Sequence, residues 1–386
     1  MAKWLRQIVF GDVDAMFASA AAVADPSLAG KPVAVGGPPP RGIIAAASYA
    51  VRLFGVHSAM PTAHALNLCP NLILVPPDRP LYQRLHGQMR LVTDRFFPAT
   101  EWSSIDEFYA DATDLQLLHP DPAALGRTVK DAIFETTGLH CTIAIAASKI
   151  VAKVAADAHK PDGLAVIEPG TEAAFLAPRP VKALPGIGPK TADSLERIGV
   201  RTIGDLLEPR FEQPLRRIWG KRLPIVQALA KGTDDDPVVP DRERKSTGHE
   251  TTFDQDTNDQ AFLEKTLRGF LAELTHELRV EGLAAGSYTV KLKDSTHRLT
   301  TKQHHFPKPL NDDPMMWKDI REALHGLMSP RTKYRLAGVT LGDLVPATAG
   351  LFDQRRSKAL AAMDAIIEKH GTKSIGLGGV GGIREE

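Results

Sequence analysis

The sequence predicts an α+β protein in three parts: a ferredoxin-like domain with an inserted lobe, a helical segment built on a glycine turn, and a C-terminal β-α-β-β-α-β domain. Three observations predict this. Residues 1–166 run through strand- and helix-patterned segments in β-α-β-β-α-β order, interrupted at about 20–78. The same order returns over 246–345. Between the two, Leu184-Pro185-Gly186-Ile187-Gly188-Pro189-Lys190-Thr191 reads as a turn that opens a helix.

Taken in order, residues 5–10 are apolar enough for a buried strand, and an Ala-rich helix follows from Met16 to Val23, ending near Asp25-Pro26. Lys31-Pro32-Val33-Ala34-Val35-Gly36-Gly37 is a short strand and turn. Gly42 to Ala47 is apolar and leads into a helical pattern from Ser48 that Gly55 stops. An amphipathic helix spans 81–97, a hairpin 101–111 and another helix 121–136. Thr142 to Ala146 is a strand, and Ser148 N-caps the helix after it, which ends near Lys160-Pro161-Asp162-Gly163. Composition then shifts at Pro178-Arg179-Pro180, and Ile198 to Leu206 repeats the glycine turn less sharply. Gly232 to Pro240 is polar and Pro-containing, a linker. Beyond it lie strand 247–253, helix 258–280, strands 286–293 and 297–305, helix 314–328 and strand 334–342, then a helix at 354–370.

The stretch with the most chemistry is Ser103-Ser104-Ile105-Asp106-Glu107-Phe108-Tyr109-Ala110-Asp111, two adjacent acids at the bend between β-prone residues. Upstream, the apolar run Ile8-Val9-Phe10-Gly11 ends in Asp12-Val13-Asp14. If the two segments are neighbouring strands, Asp12 meets Asp106 and Glu107 at one edge. Three such carboxylates suit two divalent cations about 3.5–4 Å apart, the arrangement that serves phosphoryl transfer. Taken singly, each acid also fits a solvated turn or a helix N-cap.

Two basic features stand apart from the acids. The glycines of the Leu184–Thr191 turn allow backbone N–H groups to approach a phosphate, and they equally suit plain helix packing. The 286–305 hairpin carries Lys291, Lys293, His297, Arg298 and Lys302 against one acid, Asp294, with Arg331, Lys333 and Arg335 downstream. Such a surface either tracks a phosphate backbone or is a solvated face. Gly376, Gly378 and Gly381 match G-x-G-x-x-G, but no strand precedes them and no helix follows, which removes a dinucleotide site.

Composition narrows the classes. The 386 residues are 43% hydrophobic and 24% charged with net charge +1, ordinary for a soluble protein of several domains. Bulk charge neither demands nor excludes a nucleic-acid partner. Cys69 and Cys141 have no metal-ligand spacing and no partner pattern, which fits a reducing compartment. No signal-peptide core and no apolar run of about 18 residues is present. The reading is cytoplasmic.

Together these segments resemble the Y-family translesion DNA polymerases, most closely the DNA polymerase IV (DinB) branch, from about residue 8 to about 370. The matches are Asp12-Val13-Asp14-Ala15-Met16-Phe17-Ala18-Ser19, Lys31 to Gly37, Ala47-Ser48-Tyr49, Arg52, Phe54-Gly55-Val56, Ser58-Ala59-Met60-Pro61, Ser104-Ile105-Asp106-Glu107, Lys160-Pro161-Asp162-Gly163, Leu184 to Gly188 and Arg244-Lys245-Ser246. The resemblance implies a palm (1–19 and 79–166), fingers (20–78), a helix–hairpin–helix thumb (167–231), a linker (232–245), a little finger (246–345) and a tail (346–386). It implies template-directed addition of deoxynucleotides with two Mg²⁺ ions, Mn²⁺ substituting. Asp12, Asp106, Glu107 and the Val13 carbonyl are then similar to the metal ligands. Tyr49, Arg52 and Lys160 are similar to the triphosphate ligands, and Phe17 to the steric gate that excludes a 2′-hydroxyl. Gly186, Gly188, Lys190, Lys291, Lys293, Arg298, Arg331 and Arg335 become DNA contacts.

The expected partners are primer-template DNA, deoxynucleoside triphosphates and, through Leu351 and Phe352, a weakly held sliding clamp; the expected state is a monomer without membrane. Several positions depart from the family pattern. Gly11 stands where a histidine is usual, Met16 replaces an aromatic, Ala21 and Ala50 replace glutamates, Ala46 a hydroxyl residue and Thr348 the clamp peptide's glutamine. A catalytically inert DNA-bound scaffold and a nucleotidyl cyclase are the other readings. Intact acids argue against the first, and the two basic DNA-type segments against the second.

Overall fold

The computed structural model describes residues 4–240, 242–347, 360, 362–366 and 369. They fall into two compact units, Met1–Arg242 and Glu243–Glu386.

The first unit begins with β1 (Ile8–Val13), buried along its whole length, and α1 (Met16–Ala24). The strand starts later than the apolar run suggests, since Leu5 is 96% exposed, and Asp12 therefore sits inside the strand. The inserted lobe has β2 (Val33–Gly36), β3 (Ile44–Ala47), α2 (Tyr49–Arg52), α3 (Thr62–Leu68) and β4 (Ile73–Val75). Its sheet, in the order β3-β2-β4, covers a small core around Ile44, Val51 and Val56. The helix expected from Ser48 to Gly55 is only the single turn of α2, because Gly55 at φ +83° turns the chain away.

Next come α4 (Arg79–Phe96), β5 (Thr100–Trp102), β6 (Glu107–Asp111), α5 (Pro122–Thr137), β7 (Cys141–Ala146), α6 (Lys149–His159) and β8 (Leu164–Val166). The sheet order β5-β6-β1-β7 is the ferredoxin-like one, with β1 antiparallel to β6 and β7. Two details differ from the sequence reading. Ile105 lies in the bend and belongs to neither strand, and β8 adds a fifth strand parallel to β7. Alternation along the strands feeds both faces: Val9, Phe108 and Ile143 pack with α4 and α5, while Phe10, Ala144 and Ala146 pack with α6.

Beyond α7 (Glu172–Leu176), α8 (Pro189–Arg197), α9 (Glu212–Trp219) and α10 (Leu223–Ala230) form a helical segment whose core residues join the α6 face. The polar stretch read as a linker begins by lying against the sheet domain. Ser148 Oγ donates to Gly232 O at 2.9 Å, and Lys149 Nζ reaches Glu101 Oε2 at 2.6 Å and Asp236 Oδ2 at 2.8 Å.

The second unit contains β9 (Ser246–Thr257), α11 (Gln260–Val280), β10 (Leu283–Asp294), β11 (Leu299–Leu310), α12 (Asp313–Leu327) and β12 (Tyr334–Pro346). It repeats the element order of the first sheet but pairs its strands differently, as β11-β10-β12-β9. Both helices cover one face, where Val290, Leu292, Ala337 and Val339 are buried. Leu351 and Phe352, proposed from sequence as clamp residues, lie outside the described residues.

Candidate active site

Register decides the site. Asp12 on β1 stands directly opposite Glu107 on β6, and Val13 N–H donates to the Asp106 carbonyl at 3.0 Å. The bend that carries Asp106 is locked by its own hydroxyls. Ser104 Oγ donates to Asp106 Oδ1 at 2.5 Å and accepts from Glu107 N–H at 3.0 Å. From α4, His86 Nδ1 lies 3.0 Å from the Ile105 carbonyl, and its ring meets Trp102 edge-on. Burial lowers the His86 pKa, and the hydrogen bond its Nδ1–H gives that carbonyl works the other way.

Two lysines face the acids. Lys160 Nζ is 2.5 Å from Asp12 Oδ2 and 3.2 Å from Asp157, and Lys153 Nζ is 2.6 Å from Glu107 Oε1. Burial pushes the Asp12 carboxyl up to about 7 despite Lys160, with Glu107 and Asp106 adding repulsion. Burial works on Glu107 in the same sense, but the hydrogen bond and charge of Lys153 outweigh it and hold Glu107 below its ordinary value. Burial opposes the charge of Lys160, yet Asp12 raises its pKa. Among the described residues no three His, Cys, Asp or Glu side chains close around one point in metal-ligand fashion. The acids lie side by side on one edge, with ammonium groups offsetting their charge.

Tyr49, at the start of α2, brings the lobe to the same place. Its hydroxyl donates to Asp14 Oδ1 at 3.0 Å, and burial together with Asp14 pushes its pKa up to about 12, so it remains a donor. Arg52 lies over the Tyr49 ring at 4.4 Å and donates to the Ala47 carbonyl at 3.0 Å. Phe17, in the first turn of α1, is half-buried, while Met16 is buried in the core. Asp12, Asp106, Glu107, Tyr49, Arg52 and Lys160 are thus drawn to one end of β1.

The basic residues group differently from their sequence order. In the first unit, Gly186 adopts φ +91°, and Gly188 is the N-cap of α8 with Pro189 in its first turn. Gly186, Gly188 and Lys190 are exposed around the buried Ile187. In the second unit, Lys291 and Lys293 share the face of β10 turned away from the helices, as alternation predicts. Lys302 pairs with Val290 and so belongs to the opposite, helix-covered face. Lys291 has a partner absent from the sequence reading, Glu250 Oε2 at 2.5 Å. Both residues pair in register with Gly338, and a β-carbon there would come within 2.6 Å of Glu250 Cβ. Arg298 and Arg331 are exposed and Arg335 half-buried.

Sequence reasoning missed Lys153, His86, Tyr82 and the role of Asp14. Lys149 and Lys153, four apart in the apolar first half of α6, were the only signal for Lys153. Nothing local marks His86 or Tyr82, which reach the site from α4.

Sequence comparison matches residues 11–157 to the impB/mucB/samB family, 244–354 to that family's C-terminal domain, and 169–200 to the IMS family HHH motif. The chain is 34% identical to "DNA polymerase IV" of Dehalococcoides mccartyi (strain CBDB1), over 97% of each chain. It is 37% identical to "DNA polymerase IV" of Methanoculleus marisnigri over 88% of this chain and 94% of that one. Among solved structures, "Y-family DNA polymerase chimera Dbh-Dpo4(243-245)-Dbh" superposes with a TM-score of 0.81 at 27% identity, over 88% of this chain and 99% of the other. "Insertion ternary complex of Dbh DNA polymerase" gives 0.64 at the same identity and coverage.

Proposed function

The chain belongs to the impB/mucB/samB family and is a DNA-directed DNA polymerase of the translesion type, and we propose that its chemistry runs where Asp12, Asp106 and Glu107 line the sheet edge. The cross-strand pairing of Asp12 with Glu107, with Lys160 on Asp12 and Tyr49 on the neighbouring Asp14, is the observation that carries this. Polymerases of this family depend on divalent metal. The donor set fits: carboxylates with the Val13 carbonyl are hard oxygen ligands of the kind Mg²⁺ takes, Mn²⁺ substituting. Asp12, Asp106, Glu107 and the Val13 carbonyl would hold two such ions, which would supply activation of the primer 3′-hydroxyl and charge to offset the leaving pyrophosphate.

The chain's own residues do the rest. Lys160 and Arg52 offset charge on the triphosphate, and Tyr49, whose one hydroxyl proton lies on Asp14, carries the Arg52 guanidinium over its ring. Lys153 holds Glu107 ionised. Phe17 closes the space beneath the sugar, where a 2′-hydroxyl would clash.

Residues 1–19 with 79–166 serve as palm, 20–78 as fingers, 167–231 as thumb, 232–245 as linker, 246–345 as little finger and 346–386 as tail. Primer-template DNA lies against the backbone of Gly186 and Gly188, with Lys190, and against Lys291, Lys293, Arg298, Arg331 and Arg335. Leu351 and Phe352 supply at most a weak sliding-clamp contact. The protein works as a monomer in the cytoplasm, and no helix among the described residues is long and apolar enough to cross a membrane.

Primer extension with Mg²⁺ and deoxynucleotides, wild type against Asp106→Ala, tests the site. Extension lost in the variant is expected; extension retained would move the chemistry elsewhere. The inert-scaffold reading has no use for intact acids ringed by phosphate-binding side chains.

A further inference from the structure

We propose that Asp14, the second acid of the Asp12-Val13-Asp14 run, is a positioning residue whose buried carboxylate fixes both the Tyr49 hydroxyl and the loop that carries Lys160. The proposal rests on the reading of Tyr49 and Lys160 as triphosphate ligands.

Asp14 is 4% exposed and follows β1 directly. Three groups donate to its carboxylate from three parts of the first unit. Tyr49 Oη–H reaches Oδ1 at 3.0 Å from the inserted lobe. Thr142 Oγ1 lies 3.2 Å from Oδ1 and 3.3 Å from Oδ2, on the neighbouring strand β7. Asp162 N–H reaches Oδ2 at 2.7 Å from the Lys160–Gly163 loop. A carboxylate offers about four lone-pair sites, so these donors occupy most of its capacity, and Asp14 acts on substrate only through the groups it holds.

The loop is fixed twice over. Thr142 Oγ1, while donating to Asp14, accepts from Gly163 N–H at 3.1 Å. Asp162 adopts φ +52°, a left-handed conformation that a side chain rarely takes. Its N–H bond to Asp14 holds that turn from inside, and its carboxylate is held from outside by Lys130 at 2.9 Å and His140 at 3.3 Å. Two residues back, Lys160 lies on Asp12. The backbone of Asp14 is itself pinned, its N–H to His140 O at 3.0 Å and its carbonyl to Ser19 Oγ at 2.5 Å. One side chain therefore sets the distance between the lobe's Tyr49–Arg52 pair and the sheet's phosphate cation.

Single-nucleotide incorporation kinetics with the full chain test this, using Asp14→Ala, Asp14→Asn, Tyr49→Phe, Lys160→Ala and the Asp14→Ala/Tyr49→Phe double variant. Thermal melting of each checks that it folds. Asp14→Ala is expected to raise the deoxynucleotide KM by about 10- to 100-fold, as for lost hydrogen bonds to a charged group, with a smaller change in kcat. Asp14→Asn keeps the shape and an acceptor for the Asp162 N–H, and is expected to recover most of that loss. Adding Tyr49→Phe to Asp14→Ala is expected to cost little more, because the two act as one unit.

If Tyr49→Phe and Lys160→Ala raise KM while Asp14→Ala does not, or if its effect adds fully to that of Tyr49→Phe, Asp14 is not their positioning residue and the triphosphate reading stands. If neither Tyr49→Phe nor Lys160→Ala changes KM, that reading fails and the role of Asp14 falls with it.

Discussion

The ring of Phe17 stacks on the ring of Tyr82, with centroids 4.3 Å apart and planes 26° from parallel. Met16 beside it turns into the core and gives Phe17, the proposed gate, no face. Tyr82 is 4% exposed on α4 and supplies the rigid wall behind it. Tyr82→Ala is therefore expected to relax discrimination against ribonucleotides by about 3- to 10-fold, the worth of one aromatic pair. Phe17→Ala should relax it further. Competing incorporation of ribo- and deoxynucleotides measures both, and unchanged discrimination in Phe17→Ala removes the gate assignment altogether.

Gly11 is a steric requirement of this core. It pairs with Phe108 across the sheet, and a β-carbon at Gly11 would lie 2.3 Å from that ring, which is 1% exposed and has no room to move. Gly11→Ala should destabilise the protein by about 1–3 kcal/mol through overpacking. Thermal or urea melting reads it directly, and a shift within error would mean that the ring yields.

The proposed role of Asp12 as a metal ligand ties metal affinity to pH. Its folded carboxyl is pushed up to about 7 against an ordinary 3.8. Between those values the metal-free folded state keeps a proton that the unfolded chain has lost, so this group's contribution to stability falls as pH rises through that window. A cation must displace the proton. Mg²⁺ affinity should weaken below about pH 7 and level off above it, with proton release on binding seen by calorimetry in two buffers near pH 6. Affinity independent of pH in this range would contradict the assignment of Asp12 as a ligand.

Glu250 restrains Lys291. Their 2.5 Å pair ties up one cation of the open β10 face while Lys293 lies beside it. Glu250→Gln is expected to tighten binding to primer-template DNA and to steepen its salt dependence by about one ion per site, whereas Lys293→Gln should weaken and flatten it. Titrations at several salt concentrations separate the two, and identical slopes in all variants would place the DNA on another surface.

Much of the site could be read in the chain because it is written in short runs. Asp106-Glu107, Asp12-Val13-Asp14 and Lys160-Pro161-Asp162-Gly163 each carry their residue types within a few positions. The basic hairpin was read less well, since Glu250 lies about 40 residues from Lys291 and becomes its partner only by pairing across Gly338 on β12.

By itself the sequence determined the order of elements in both β-α-β-β-α-β domains, because hydrophobic period and turn residues are local properties of a chain. It also offered Asp12, Asp106, Glu107, Tyr49, Arg52, Lys160 and Phe17 as candidates for one site, and it left out Lys153, His86 and Tyr82. Tertiary structure alone decided how those groups are held: Asp12 opposite Glu107 by register, Lys153 on Glu107, Tyr82 behind Phe17 and Asp14 between Tyr49 and Asp162. It also decided that one element order gives two sheets of different strand order. Strand pairing and side-chain contact join residues that are distant along the chain, and no local pattern records which of them will meet.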